Sequence, residues 1–450
     1  MEEWTREQLI ERLREREELI AQLQRELTAL RELVEKLQKE AARQAAPFRR
    51  RETQKVPPEQ KKTPGRPVGH PGVNRPVPAH IDHFVRVPLR CCPHCQGAVS
   101  QLAERVQYIE EIPPVQPVVT QITTFTGCCR RCGEVESTHP LMTGRGSHAS
   151  AVHLGPRAIA FAAVLNKHHG ITMRKTCRIL KDAFGLQLSP GGLSQRLDRL
   201  ADACESDYQQ LIADIRAGPA AYVDETSWWV NGPGHWLHGF TNPTTTVYRV
   251  ESNRSSAAVN ETLGSDYAGV LVSDCLAIYD DGCTPIARKH KCIAHHLKAI
   301  REQLSSPGLG DRTYLENWKG LFEVVCEITA NRELLGERTF AHLRARTIVR
   351  RDLLLSQRVE QEQDRRIQNR LMKRREYLLT CLDDPQVEST NNRAERALRP
   401  AVIARKVSCG NKTERGKTTW ERLASLAATM WQRGKSIFDF FTRRTKITPG

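Results

Sequence analysis

The segment between Ala220 and Leu276 constrains the fold most, because strand patterns and turn signals alternate there at close spacing. Its predicted elements are strands at 220–224, 235–240 and 246–250, a helix at 255–263, and a strand at 269–274. Asn-Gly-Pro-Gly and Thr-Asn-Pro separate the first three strands, as in an antiparallel meander. A strand that returns through a helix pairs in parallel with its neighbour, so we expect the fourth strand beside the first. The sequence therefore predicts a mixed sheet in an α/β core.

Both strands of this expected parallel pair end in aspartate, at Asp224 and Asp274. Neighbouring strands lie about 4.8 Å apart, so carboxylates at adjacent strand ends can bridge metal ions about 3.5–4 Å apart. A third carboxylate, Glu395, follows Ser-Thr-Asn-Asn, which predicts a helix that begins near Asn392. Mg²⁺ or Mn²⁺ suits such a site because both ions prefer hard oxygen ligands. The pattern predicts a ribonuclease-H-like core with a two-metal phosphoryl-transfer site.

Each of these acids, taken alone, also fits an ordinary structural role. The first fits a turn cap, the second a strand end, and the third an ion pair with Arg399 one helical turn later. Strand alternation sends Glu225 to the opposite face from its neighbour, which argues against it as a metal ligand. Asp280 and Asp281 are the alternatives if the second aspartate proves buried. The three contexts together favour catalysis.

The charge balance indicates a polyanionic partner. Lys and Arg number 68 against 52 Asp and Glu, a net charge of +16 over 450 residues, which favours nucleic acid. No apolar stretch approaches the roughly 18 residues that span a bilayer, and the charged N-terminus lacks a signal-peptide core. Several of the 14 cysteines have metal-like spacing. We therefore expect an intracellular, reduced protein without membrane contact.

The N-terminal residues 1–45 contain heptads. Apolar residues repeat every seven positions from Leu13 to Val34, and a second series of leucines accompanies them. This pattern predicts a two-stranded parallel coiled coil and hence a homodimer; the alternative is a single amphipathic helix packed on its own domain. Residues 46–85 are basic and Pro-rich, which predicts an extended linker. Its Gly-Arg-Pro sequence fits insertion of Arg66 into a narrow minor groove, and it fits a solvated linker equally well.

Residues 86–145 contain two cysteine pairs, each spaced by two residues. The four cysteines are Cys92, Cys95, Cys129 and Cys132. Between the pairs, 106–112 and 118–125 alternate like strands. Two such turns brought together across a small sheet form a closed tetrahedral thiolate site, so we expect a zinc ribbon with a structural Zn²⁺. Cys91 and Cys128 precede the pairs and are alternative ligands; a set of unrelated buried cysteines is the other interpretation.

The remaining segments have helical patterns, which makes the whole chain a multidomain α+β protein. Residues 150–215 predict two helices joined by a short turn, a helix-turn-helix plan that any helical hairpin also matches. The core is expected to occupy 216–310 and 386–450, interrupted by a helical insertion at 311–385 with a long exposed helix at 357–375. We assign phosphate contacts to the basic residues after the predicted catalytic glutamate: Arg396, Arg399, Arg405, Lys406, Lys412, Arg415 and Lys417.

Several motifs carry a resemblance to a known family. They are Val223-Asp-Glu-Thr, Ser273-Asp-Cys, Cys292-Ile-Ala-His295 and Asn391-Asn-Arg-Ala-Glu-Arg-Ala-Leu-Arg399, together with the heptads, the Pro-Gly-Arg-Pro linker and the cysteine pairs. Over nearly its full length the chain resembles the DDE transposases of the insertion-sequence sixty-six family. The resemblance implies an Mg²⁺-dependent transposase whose catalytic residues are Asp224, Asp274 and Glu395.

The resemblance also implies partners and a location. The DNA would be the terminal inverted repeats of an insertion sequence and a target site, in the cytoplasm of a bacterium and associated with its nucleoid. Small accessory proteins encoded by the element are further partners. Cys292 and His295 would lie near the active site; alone they are half a metal site and fit core residues equally well. A transposase-derived regulator that binds DNA without cutting it, and a metal-dependent nuclease that does not join strands, are the alternative functions.

Overall fold

The computed structural model describes residues 75–142, 152–232, 234–280, 282–306 and 310–445, together with Gln22, Gln24 and Glu26. The predicted coiled coil, Arg66 and most of the predicted linker lie outside the described residues. The chain divides into two compact units, residues 1–115 and 116–450. In the described part of the first unit, residues 75–115 form turns and extended chain without a regular helix or strand.

The second unit begins with a β-hairpin. Strands β1 (Thr126–Cys129) and β2 (Gly133–Glu136) pair antiparallel. The strands predicted at 106–112 and 118–125 are not formed. Both segments expose their apolar side chains, with Ile109 at 87% and Val118 at 93% exposure. Alternation stabilises a strand only where one face is buried, and neither segment has such a face.

Four helices follow the hairpin and cover one face of the central sheet: α1 (Pro156–Ala163), α2 (Met173–Phe184), α3 (Pro190–Ala203) and α4 (Glu205–Arg216). The third helix begins at Pro190, which suits the first helical turn, and the Ser189 hydroxyl accepts the N–H of Gly192 at 3.0 Å. Leu193 and Leu197 of α3 are fully buried in the core.

The central sheet has five strands in the order β5-β4-β3-β6-β7. Their bounds are β3 Ala220–Trp228, β4 His235–Thr241, β5 Thr246–Glu251, β6 Val270–Ser273 and β7 Lys289–Lys291. Helix α5 (Ala257–Leu263) connects β5 to β6. Strand β4 is antiparallel to both of its neighbours, whereas β3, β6 and β7 are parallel. The predicted meander and the parallel pairing of the first and fourth strands are confirmed, as is the mixed α+β class.

Two details of the sheet differ from the prediction. Asp224 lies within β3, which continues to Trp228, rather than at its end. The extension forms because antiparallel β4 pairs with the whole second half of β3. The sequence also gave no indication of β7, whose residues are Lys-His-Lys. This strand is buried because the Lys289 ammonium donates to the Thr284 carbonyl at 2.8 Å and the Lys291 ammonium donates to the Tyr279 carbonyl at 3.2 Å.

The opposite face of the sheet is covered by later helices. Helix α6 (Ile293–Leu304) follows β7, and the insertion then adds α7 (Thr313–Ala330), α8 (Glu337–Ser356), α9 (Glu362–Met372) and α10 (Thr380–Asp383). Tyr222 and Val272 of the sheet pack into the core formed by these helices. A helix forms within the range 357–375 where a long exposed helix was predicted, but α9 is shorter and buries Ile367 and Leu371. The chain leaves α8 after Ser356. The Gln368 side chain satisfies the carbonyls of Leu355 and Gln357 there, at 3.0 and 2.7 Å.

Three C-terminal helices complete the unit: α11 (Asn392–Ser408), α12 (Glu414–Gln432) and α13 (Ile437–Arg444). Helix α12 covers the outer edge of the sheet with a polar stripe. The N–H groups of Thr246, Tyr248 and Val250 in β5 donate to Thr429 Oγ1, Ser425 Oγ and Glu421 Oε1, at 3.0, 2.8 and 2.5 Å. This stripe satisfies an edge strand that would otherwise present unpaired donors.

Candidate active site

The register of two parallel strands places Asp224 and Asp274 side by side. Tyr222 of β3 pairs with Val272 of β6, and each aspartate lies two residues further along its strand direction. Asp274 directly follows the last residue of β6. Because residues two apart share a face, both carboxylates belong to the face that the insertion helices cover. Both side chains are half-buried.

Helix α11 is anchored to the strip of sheet that carries Asp224 and Asp274 by the residue that precedes the helix. Asn391 is fully buried, and its Nδ2 donates to the Val223 carbonyl at 2.7 Å, one residue before Asp224. The Asn391 N–H points to the sulfur of Cys292 at 3.1 Å. The beginning of α11 is therefore fixed against both β3 and the start of α6.

A close contact further along α11 determines which side of the helix faces the sheet. Gly239 of β4 is the register partner of Asp224, and a Cβ on this glycine would lie 2.8 Å from Leu398 Cδ2. Leu398 is thus packed on the sheet directly beside Asp224. Glu395 lies three residues earlier, on the same side of the helix. The glutamate is therefore presented to the strip that holds both aspartates.

The three carboxylates affect one another electrostatically. Burial, followed by the neighbouring charges of Glu225, Asp274 and Glu395, raises the pKa of Asp224 to about 7. His295 Nε2 lies 4.0 Å from Glu395 Oε1. Negative charge is therefore concentrated along this strip, and it destabilises the ionised form of its most buried member.

Each aspartate uses one oxygen in a local backbone hydrogen bond. Asp224 Oδ1 accepts the N–H of Glu225 at 3.0 Å, and Asp274 Oδ1 accepts the N–H of Leu276 at 2.9 Å. Across the residues described, no three His, Cys, Asp or Glu side chains meet as a metal site. The donors nevertheless fit a hard divalent cation, because adjacent carboxylates that repel one another are stabilised by such a charge.

The other acids considered in the sequence have structural partners. Glu225 pairs with His238 on the opposite face of the sheet, as predicted from alternation. Its side chain is 2% exposed, accepts from Arg254 at 2.6 Å and accepts the Tyr279 hydroxyl. Asp280 is held by three cations, described below, and Asp281 lies outside the described residues. Asp274 is half-buried, so the alternative assignment to these loop acids is not needed.

Cys292 and His295 differ in their surroundings. Burial raises the pKa of the Cys292 thiol to about 11, and its sulfur accepts the Asn391 N–H, so it fits the interpretation as a core residue. His295 borders Glu395, and its buried Nδ1 has no partner among the described residues. Sequence analysis did not predict that Asn391 anchors α11. An Asn immediately before a predicted helix could have indicated such a role.

The predicted phosphate contacts fall into two groups. Arg396, Arg399, Lys406 and Lys412 are exposed. In contrast, Arg405 donates to Thr226 Oγ1 and Ser227 Oγ at 2.9 and 2.6 Å. Two more are engaged in ion pairs: Arg415 with Asp202, and Lys417 with Glu414. The structure therefore leaves the first group accessible to a ligand and uses the second group within the fold.

The two cysteine pairs share one local geometry. In the first unit, the backbone N–H groups of Cys95 and His94 approach the sulfur of Cys92 and lower its pKa. In the second unit, the N–H groups of Arg131 and Cys132 do the same at Cys129. Amide groups directed at a sulfur stabilise a thiolate. Each pair is therefore preorganised as half of a thiolate metal site, and the four-cysteine zinc ribbon stays a prediction.

None of the helices within the described ranges is long and apolar enough to cross a membrane.

Comparison with known proteins shows which proteins the chain is similar to. The uncharacterized protein y4qI of Sinorhizobium fredii is 23% identical over 327 residues, 65% of this chain and 60% of that protein. The uncharacterized protein y4jD of the same organism is 24% identical over 393 residues, 78% of this chain and 73% of that protein.

The chain thus spans 60% of the length of the first of these relatives. The family model described as "Transposase IS66 family" matches residues 151–419, which cover all of the central sheet and the start of α12. Because this match extends over more than half of its length, the chain belongs to the IS66 family of transposases.

Proposed function

We propose that this protein is a DDE transposase that cleaves DNA strands at the terminal inverted repeats of an insertion sequence and transfers them to a target. Asp224, Asp274 and Glu395 are its catalytic residues. One observation carries the proposal: the β3–β6 register and the Asn391 anchor bring residues from three distant parts of the chain to one strip of sheet. A protein that only bound DNA would gain nothing from carboxylates facing phosphate.

The sheet topology supports a ribonuclease-H-like core. Numbered within the sheet, the strand order is 3-2-1-4-5, with only the second strand antiparallel to the rest. The first and fourth strands are central neighbours, and each carries one aspartate near the carboxyl end of their pairing. This is the arrangement that a two-carboxylate site on a parallel strand pair requires.

The chain's own residues prepare the site for phosphoryl transfer. The three carboxylates would hold Mg²⁺ or Mn²⁺, and such ions supply activation of the attacking oxygen and stabilisation of the leaving oxygen. The N–H groups of Glu225 and Leu276 orient the two aspartates. Exposed Arg396 and Arg399 on α11 place positive charge where a DNA backbone approaches Glu395.

The other parts of the proposal concern assembly. The four cysteines hold a structural Zn²⁺, the N-terminal heptads form a homodimer that brings two element ends together, and element-encoded proteins assist in the cell. The site of action is the bacterial cytoplasm, at the nucleoid. The net charge of +16 supports DNA as the partner of the assembled protein.

The purified protein is tested with labelled element ends, unlabelled target DNA and Mg²⁺. Joined products support the transposase. Cut products without joining indicate the metal-dependent nuclease instead, and bound but uncut DNA indicates the regulator. EDTA should abolish cutting and joining while leaving a DNA complex detectable by gel shift, because the exposed basic residues do not depend on the metal.

A further inference from the structure

We propose that Arg374, supplied by the helical insertion, is a positioning residue that fixes the loop carrying Asp274. The inference rests on the proposed function, since it concerns how one of the proposed metal ligands is held. Arg374 lies 100 residues after that aspartate (374 − 274), just beyond α9. Nothing in the motif containing Asp274 indicates a dependence on the insertion.

The contacts of Arg374 are directed at the loop itself. Its Nη2 donates to the carbonyl of Cys275, the residue next to Asp274, and to Asp280 Oδ2, each at 3.0 Å. The side chain of Arg374 is 9% exposed. One guanidinium thus ties residue 275, at the start of the loop, to residue 280, and burial protects both hydrogen bonds from competition with water.

Asp280 forms the centre of a cluster of charges. Its Oδ1 lies 3.3 Å from the ammonium of Lys291, which is fully buried in β7, and its Oδ2 lies 3.4 Å from Lys373. Lys291 also donates to Ser273 Oγ at 3.2 Å, immediately before Asp274. A buried cation requires a paired anion, so Lys291 and Arg374 both depend on Asp280 remaining in place.

The far side of the loop is fixed independently. The Tyr279 hydroxyl donates to Glu225, which is buried and paired with Arg254. Lys291 of β7 also holds Asp280 and the Tyr279 carbonyl. The insertion contributes Arg374, at residues 275 and 280, and Lys373, at residue 280. Removing Arg374 should loosen the segment nearest to the metal ligand while leaving the Tyr279 contact intact.

The test measures metal binding as well as cleavage. For Arg374→Ala, the dissociation constant for Mn²⁺, measured by electron paramagnetic resonance of the free ion, should rise at least tenfold, as is common when a supporting contact of a metal ligand is lost. The Mg²⁺ concentration for half-maximal cleavage should rise in parallel, with gel-shift affinity for element ends unchanged. Arg374→Lys keeps the charge on a shorter side chain that reaches the two acceptors less well, so its shift should be intermediate.

Arg344→Ala is the matched control. Arg344 also belongs to the insertion and pairs with Asp383, away from the loop, so metal binding should not change. If Arg374→Ala unfolds, Arg374→Lys and Asp280→Asn carry the test. Unchanged Mn²⁺ affinity in the folded variants overturns the inference. If Asp224→Asn keeps cleavage activity and Mn²⁺ affinity, the proposed function fails instead, so the two failures are distinguishable.

Discussion

At the scale of single residues, Asp224 is the side chain on which the proposed chemistry depends most. Burial and the surrounding carboxylates raise its pKa to about 7. A divalent cation bound there would stabilise the ionised carboxylate. We expect Asp224→Asn to abolish strand cleavage, because an amide cannot supply the negative charge. DNA affinity should change little, since the exposed arginines of α11 remain.

Asp182→Asn is a suitable control for that variant, because Asp182 is exposed and pairs with Arg178 one turn away in α2. It should retain both cutting and binding. Cleavage rates and gel-shift affinities are measured on the same preparations. Parallel losses of binding and cutting in Asp224→Asn would argue that the residue maintains the fold rather than the chemistry.

Gly239 is the second residue on which the site depends, because it lets α11 approach β4. Gly239→Ala adds a Cβ that would lie 2.8 Å from Leu398 Cδ2, so the helix that carries Glu395 must move. We expect a loss of about 1–3 kcal/mol in the free energy of unfolding, as for other overpacked cores, together with reduced cleavage. Urea denaturation measures the stability.

The double variant Gly239→Ala, Leu398→Ala separates displacement of the helix from a general effect of alanine in a strand. Removing the leucine side chain opens space for the added methyl group. Cleavage by the double variant should exceed that of Gly239→Ala if the displacement is responsible. If the double variant instead loses as much cleavage activity as the two single variants together, displacement of the helix is not the cause.

At the scale of elements, β5 and α12 form an edge in which a helix replaces a neighbouring strand. Partial burial raises the pKa of Glu421, the acceptor for Val250, to about 7. A carboxyl whose pKa is higher in the folded than in the unfolded state stabilises the fold at pH values below its unfolded-state pKa, which is about 4.5. That contribution is lost as the pH rises to about 7.

Glu421→Gln should remove this pH dependence, because glutamine still accepts the Val250 N–H but does not titrate. Between pH 4.5 and 7 the wild-type free energy of unfolding should fall relative to that of the variant, by an amount on the order of 2 kcal/mol. Chemical denaturation at several pH values provides the comparison. Equal slopes for the two proteins would show that Glu421 does not titrate in this range.

The sheet was predictable where apolar residues and turn signals coincide, as in β3 to β6. It was not predictable at β7, because Lys289 and Lys291 are buried by partners that are distant in sequence. At 106–112 and 118–125 strands were predicted but are not formed, since alternation without a surface to pack against does not form a strand. The local contexts of Asp224, Asp274 and Glu395 were enough to propose them as catalytic acids, whereas the contacts of Asn391, Gly239 and Arg374 around them depend on tertiary structure.

At the scale of the whole molecule, the two cysteine pairs belong to separate compact units of the chain, 1–115 and 116–450. We propose that the four cysteines hold one structural Zn²⁺. A chain with both pairs intact should then bind one Zn²⁺ per protomer by elemental analysis. Since structural zinc stabilises the fold that holds it, removal of the zinc should lower the free energy of unfolding of that fold, which thermal denaturation measures.

Cys129 and its neighbour Cys128 provide the sharpest test of the ligand set. Amide groups are directed at the sulfur of Cys129, and its pKa is lowered, so Cys129→Ser should lose the zinc. Cys128 is exposed and precedes the turn, so Cys128→Ser should keep it. Zinc content after gel filtration, with gel-shift affinity alongside, measures both variants. Retention in Cys129→Ser with loss in Cys128→Ser would transfer the ligand role to the neighbour, and retention in both would remove this pair from the metal site.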